Sequence, residues 1–350
     1  MKLNAILLIM LPVLGANSAL AQIPQRFQQM ILENVPQTDA NGDGKVTVDE
    51  IKKIYPSLPA PYQRAVRDRL PEIAGDAAAS PKKQAAKPDF EFERPAGDPK
   101  TGREQGFNCL FMGHSFFCPI VRHIDQHASN LGLKHHQQFV AMSGGASGSP
   151  GMLWTSKKPA VLHGKKLLES GKVELLSLTG HYQGSTVEDY RRWVELAVKH
   201  NPKTIIVIQS PWVIKRNKQF AEYSKEVTQA TNTSHEGIDR LREAFPDTTF
   251  LCVPQGQWMV ELWRLFEADK LPELTQFVSG KKGKSQQALF RDNFGHGGEL
   301  AEKQGALMWL RIIYGIELTD YEFSTQTKYD LKELAQRICD KDPYCKVENK

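Results

Sequence analysis

Between residues 107 and 253 the chain repeatedly exchanges one hydrophobic period for another, and this limits the folds open to it. Five short apolar runs, at 107–112, 138–142, 173–178, 204–209 and 248–253, have the length and composition of buried strands. Amphipathic stretches separate them. The clearest spans 185–200, where Ser185 and Glu188 have capping-box spacing, Val187, Tyr190, Val194 and Val198 share a face, and Pro202 ends the pattern. Strands that alternate with helices require a parallel sheet, because each crossover needs a helix to bring the chain back. The expected fold class is therefore α/β, a three-layer α/β/α domain around a five-stranded parallel sheet, assigned to residues 105–318. In such a sheet ligands collect at the carboxyl ends of the strands.

Reactive residue types stand at those ends. Ser115 follows the first apolar run, just after Gly113, a residue that lets a backbone turn sharply. Asp292 and His296 lie in a Gly-rich turn before the helical stretch 299–314. A serine hydroxyl needs an imidazole to take its proton and a carboxylate to fix the imidazole tautomer, and these three residues supply the types. A metal centre built from His114, His123, His127, His135 and His136 is a weaker alternative, because no acidic residue organises them. Trp154, Trp212, Gln255 and Trp258 follow strands two, four and five, where aromatic faces can stack on sugars or simply pack.

The segment Asp39 to Glu50 matches the twelve-residue calcium loop. Asp39, Asn41, Asp43 and Thr47 provide oxygens at positions 1, 3, 5 and 9. Lys45 offers its carbonyl at position 7, Gly44 makes the turn at position 6, and Glu50 at position 12 can bind bidentately. The loop predicts a small α-helical EF-hand module over 22–74 with a structural Ca2+. Residues 75–104, rich in Ala, Lys, Pro and Asp, read as a linker, and 319–350 as a tail.

Residues 1–21 have the pattern of an export signal: Lys2, an apolar core from Ala5 to Leu14, and small residues through Ala21. An exported, periplasmic or extracellular protein without a membrane span is expected. Among Cys109, Cys118, Cys252, Cys339 and Cys345, the pair Cys339 and Cys345 is spaced for a small disulfide loop. A net charge of +5, from 45 basic and 40 acidic residues without a basic stripe, argues against a nucleic-acid partner. Lys281, Lys282 and Lys284 read as a solvated loop. Oligomeric state is not encoded.

The run from Leu110 to Phe116 with Gly113-His114-Ser115, together with Asp292 and His296 before the last helix, resembles the SGNH (GDSL-like) hydrolase superfamily, whose domain is flavodoxin-like. Histidine stands at 114 where the family usually has Asp or Asn. Ser143-Gly144-Gly145-Ala146 follows the second run, and Gly144 or Gly145 fits the family's oxyanion glycine. The third-block asparagine has no counterpart; His181 or Gln183 occupies that region. Asp292 and His296 have one residue more between them than the family's Asp-x-x-His, and that spacing falls on Asn293 instead. The resemblance implies an ester hydrolase in which Ser115 attacks, His296 moves the proton, Asp292 orients it and the Ser115 and Gly145 amides hold the oxyanion. His181, Gln183 and Trp212 are its candidate substrate contacts. The implied substrate is a small-molecule or polysaccharide ester, with acylated carbohydrate favoured. The contrasting expectation is a non-catalytic protein that binds glycans or surfaces with the help of calcium.

Overall fold

The computed structural model describes residues 25–58, 66, 90–180, 185–280 and 285–346. The signal-like residues 1–21, His181, Gln183 and the lysine loop 281–284 lie outside the described residues. Residues 25–58 fall in one compact unit and 90–346 in another.

The larger unit is an α/β fold with a five-stranded parallel sheet flanked by helices on both faces. Its strands are β1 (Asn108–Gly113), β2 (Gln137–Met142), β3 (Leu175–Thr179), β4 (Ile205–Gln209) and β5 (Phe250–Val253). Their order is β2-β1-β3-β4-β5 and every pairing is parallel. Side chains alternate between two cores, as the period of a strand requires. Cys109, Phe111, Leu175, Val207 and Leu251 face one core, while Leu110, Met112, Leu176, Ile208 and Cys252 face the other. The second core is covered by α1 (Pro159–Glu169), α2 (Val187–His200) and part of α3 (Phe220–Ala244). The first is covered by α4 (Gln255–Glu267), α5 (Glu299–Trp309) and α6 (Leu331–Lys341). The chain leaves β1 toward one sheet edge for β2 and returns to its other side as β3, so the strand order reverses at the carboxyl ends of β1 and β3.

Several local expectations are corrected. The cap of α2 is Thr186, whose hydroxyl accepts from the Asp189 amide in a reciprocal capping box, one residue beyond Ser185 and Glu188. Residues 90–104 are no linker: Phe92 is buried in the second core and Arg94 is paired with the buried Glu174, whose carboxylate also accepts from the Gly97 and Asn108 amides at 2.6 and 2.7 Å. Residues 319–346 are no loose tail, since Leu331, Leu334 and Ala335 of α6 sit in the first core. A two-stranded parallel sheet, β6 (Gln276–Val278) with β7 (Ala288–Phe290), extends the fold before the Asp292 turn. All five cysteines are free and buried, so the expected Cys339–Cys345 disulfide is absent. The Cys339 thiol instead points to the Met308 carbonyl at 3.9 Å, and the Cys345 thiol to the Cys252 carbonyl at 3.4 Å. Among the described residues no helix is long and apolar enough to cross a membrane.

The smaller unit places the Asp39–Glu50 loop between helices Gln25–Asn34 and Val48–Ile54. Gly42 and Gly44 adopt left-handed φ of 71° and 75°. Asp39 accepts from the Asp43 and Gly44 amides at 3.1 and 2.9 Å, which curls the loop around its own carboxylate. Glu50 closes it by accepting from the Ala40 and Thr47 amides at 3.1 and 2.8 Å. These bonds, with that from the Thr47 hydroxyl foremost, hold its carboxyl below the usual range.

Candidate active site

β1 delivers Ser115 to the point where the strand order reverses. Gly113 is the last residue of the strand, and its need for glycine is space: a Cβ there would lie 2.5 Å from the Phe117 ring and 2.7 Å from Thr179. The turn is made by His114. Its buried ring donates from Nε2 to the Gly180 carbonyl at 2.8 Å and accepts at Nδ1 from the Phe116 amide at 3.2 Å, which fixes the tautomer. The imidazole thus does what a short Asx side chain does in such a turn, bonding an amide two residues on. It also ties the end of β1 to the end of β3.

Ser115 Oγ lies 2.7 Å from His296 Nε2, and His296 Nδ1 lies 2.7 Å from Asp292 Oδ2. With Nδ1–H given to the carboxylate, Nε2 is free to accept the serine proton. The extra residue between Asp292 and His296 is taken up by the turn itself. Asp292 Oδ1 accepts from the amides of Phe294, Gly295 and His296 at 3.0, 3.1 and 3.2 Å. Gly295 has φ 98°, and a Cβ there would lie 2.9 Å from Lys215, so only glycine fits on both grounds. Burial alone would raise the Asp292 carboxyl; the bonds and charge of His296 with the Gly295 amide outweigh it and hold the group below its usual range, as a carboxylate.

Two aromatic rings hold this turn in place. Phe116 meets the His296 ring edge-on at 4.9 Å and stacks on Trp212 at 4.8 Å, and Trp212 Nε1 donates to the Gly295 carbonyl at 2.7 Å. Trp212 is 1 % exposed and stands in the wall of the cleft that Ser115 and His296 line. Trp258 and Gln255 are likewise core residues, bonded to Ala301 and Trp309 at 3.0 Å each. Trp154 lies under the Lys165 ammonium, 4.2 Å from its ring centre.

The glycine loop after β2 completes the site. Ser143 donates its amide to Gly113 at 2.9 Å, and Lys158 Nζ donates to Ser143 Oγ at 2.7 Å, which braces 143–148 against β1. Gly145, at φ 53°, opens a 3-10 turn, and the first N–H of such a turn has no acceptor within it. Gly145, Ser115 and His296 line one cleft of about 300 Å³ with Phe116, Ile214 and the half-exposed Phe294. A larger groove of about 1090 Å³ shares Pro211 and Ile214 with it and is lined by Arg216, Lys218, Gln229 and Arg240.

Several contributors were not visible in the sequence. Phe294 and Ile214 shape the cleft, but an apolar residue in a loop has no signal of its own. Glu302, one helical turn into α5, sits 3.2 Å from Arg291, and burial pushes its carboxyl up to about 7 against the attraction of Arg291 and His296. Among the described residues the histidines of the metal reading join no group that could hold an ion; His127 bonds Tyr321 at 3.0 Å and His136 bonds Tyr314 at 2.6 Å.

No family model and no curated protein matches the chain. Among solved structures, the chain is similar to the periplasmic domain of a lipopolysaccharide acetyltransferase from Salmonella ser. Paratyphi A. The identity is 11 %, the TM-score 0.28, and the match covers 42 % of this chain and 66 % of that one, just under two thirds of its length.

Proposed function

We propose that the larger unit is a serine ester hydrolase of the SGNH kind, acting on acyl esters of polyhydroxylated substrates. The relay from Ser115 through His296 to Asp292, opening onto a small apolar cleft, carries this reading. Ser115 Oγ attacks the ester carbonyl as its proton passes to His296 Nε2, and Asp292 stabilises the imidazolium. The Ser115 and Gly145 amides receive the oxyanion, each donor contributing about 3 to 4 kcal/mol in the transition state. His296 returns the proton to the leaving alcohol, and water hydrolyses the acyl-enzyme by the reverse route. A 300 Å³ cleft walled by Phe116, Ile214 and Phe294 suits a short acyl chain. The groove beside it, lined by Arg216, Lys218, Gln229 and Arg240, suits a hydroxyl-rich alcohol portion. Export to the periplasm or beyond is part of the proposal and rests on residues 1–21.

Calcium belongs to the same proposal as a structural ion of the smaller unit. The donors of Asp39, Asn41, Asp43, Lys45, Thr47 and Glu50 are all oxygen, as a hard cation prefers, and Gly42 and Gly44 already hold the loop's turn. It takes no part in the ester chemistry.

Ser115→Ala is expected to lower hydrolysis of p-nitrophenyl acetate at least about a thousandfold without changing the unfolding temperature. A fluorophosphonate should label the native protein at Ser115. Undiminished hydrolysis in the variant would remove Ser115 from the reaction. Absence of labelling and turnover, with acylated glycan still bound, would favour the non-catalytic alternative.

A further inference from the structure

One edge of the main sheet is closed by the C-terminal segment. β5 is the last strand in the order, and the 3-10 turn Pro343–Cys345 packs beside it. The packing gathers side chains that are remote in sequence: His235 from α3, Cys252 from β5, and Asp342 and Cys345 from the turn. One donor atom each from His235, Cys252 and Asp342 lies within 4.8 Å of the other two. His235 Nε2 is 3.1 Å from Asp342 Oδ2, and the Cys345 thiol is 3.4 Å from the backbone oxygen of Cys252.

We propose that His235, Cys252 and Asp342 hold a borderline-soft divalent cation of the zinc class, with water as the fourth ligand. Nitrogen, sulfur and carboxylate donors in one cluster are the set such an ion selects. Tetrahedral bonds of about 2.0 to 2.3 Å place donors about 3.3 to 3.8 Å apart, so the observed spacing needs only a small contraction. The donors are already aimed. The Tyr344 ring stacks on the His235 imidazole at 4.0 Å and 9°, fixing its plane. Asp342 Oδ1 is engaged by the Tyr344 amide at 2.9 Å, which leaves Oδ2 to face His235. The Tyr344 hydroxyl donates to Asp239 at 2.6 Å and anchors the stacking ring from outside. Cys252 is fully buried, while His235 and Asp342 are 18 % and 10 % exposed, so the ion is shielded yet reachable from one side.

Binding releases the Cys252 thiol proton to solvent and moves the His235 proton from Nε2 to Nδ1; no electrons are exchanged. Donors from α3, β5 and the C-terminal turn let the ion pin that turn to the sheet edge. None of its donors lines the cleft at Ser115.

The test uses tag-free full-length protein, stripped of metal under reducing conditions and titrated with Co2+. One thiolate-to-cobalt charge-transfer band with tetrahedral d–d absorption should saturate at one equivalent, disappear on adding Zn2+, and accompany a Zn2+-dependent rise in unfolding temperature. The all-oxygen loop at Asp39–Glu50 cannot produce that band. His235→Gln, Asp342→Asn and Cys252→Ser should each weaken binding at least about a hundredfold, while Cys339→Ser keeps it. If Cys252→Ser fails to fold, the two rim variants decide. No band in the wild type, or a band unchanged in both rim variants, would overturn the proposal.

Discussion

Three residues separate Asp292 from His296, and the ring and carboxylate meet at 2.7 Å. The turn between them is held by Gly295 and by three amides converging on Asp292 Oδ1. Residue types and their nearness to glycine made Ser115, Asp292 and His296 legible in the sequence. The role of His114 was not, because imidazole acting as a turn-closing acceptor depends on where Gly180 and Phe116 lie. Glu302 was hidden for a related reason: its state follows from burial. Its pKa, raised from 4.5 to about 7, means that the folded protein binds more protons than the unfolded chain between those values. Stability attributable to this group therefore falls as pH rises through that window, by about 3 kcal/mol at most. Urea unfolding of the wild type and Glu302→Gln from pH 4.5 to 8 should show the difference between them changing in that direction. A pH-independent difference would show that Glu302 is already ionised in the folded state at pH 5.

At the scale of elements, all five strands of the main sheet fall within about two residues of the apolar runs; β1, β3, β4 and β5 are buried throughout and leave an uninterrupted apolar signature, while the edge strand β2 is only partly buried. Shorter pieces were not legible. β6 and β7 have three residues each and are joined by pairing across a loop, so neither carries a period. Residues 90–104 look like linker in composition, since Phe92 and Arg94 acquire meaning only against the second core and Glu174. The sequence reading gives Gly113 the sharp turn before Ser115, and the structure assigns it another part. The glycine makes room for Phe117 and Thr179, while His114 builds the turn. Gly113→Ala is accordingly expected to cost about 1 to 3 kcal/mol by overpacking, read as a lower urea midpoint. Because Ser115 is two residues on, displacement of the strand end by about 1 Å should also cost about a hundredfold in kcat. A variant with wild-type midpoint and rate would mean that the Phe117 ring moves aside without strain.

For the whole molecule, the two units differ in how much holds each together. The larger has two extensive cores on either side of a sheet. Among described residues, the core of the smaller consists of Ile31, Val35, Val46, Ile51, Leu58 and Val66 with a few partly buried neighbours. So small an apolar core supplies little net stability, and a bound ion is a usual supplement. The Asp39–Glu50 loop carries the oxygen donors that such an ion takes. With a Kd of about 0.1 mM, typical of extracellular calcium modules, 10 mM Ca2+ would stabilise the smaller unit by about 2.7 kcal/mol. Hydrogen exchange should then slow with Ca2+ at the amides of 39–54 and remain unchanged in β1 and β3, and ester hydrolysis should be indifferent to a chelator. Glu50→Gln, which removes the bidentate donor, should abolish the calcium response while leaving exchange in the larger unit as it was. Equal exchange at 39–54 with and without Ca2+ would show that the loop's own hydrogen bonds, from the Gly44 amide to Asp39 and from the Ala40 amide to Glu50, suffice to hold it closed.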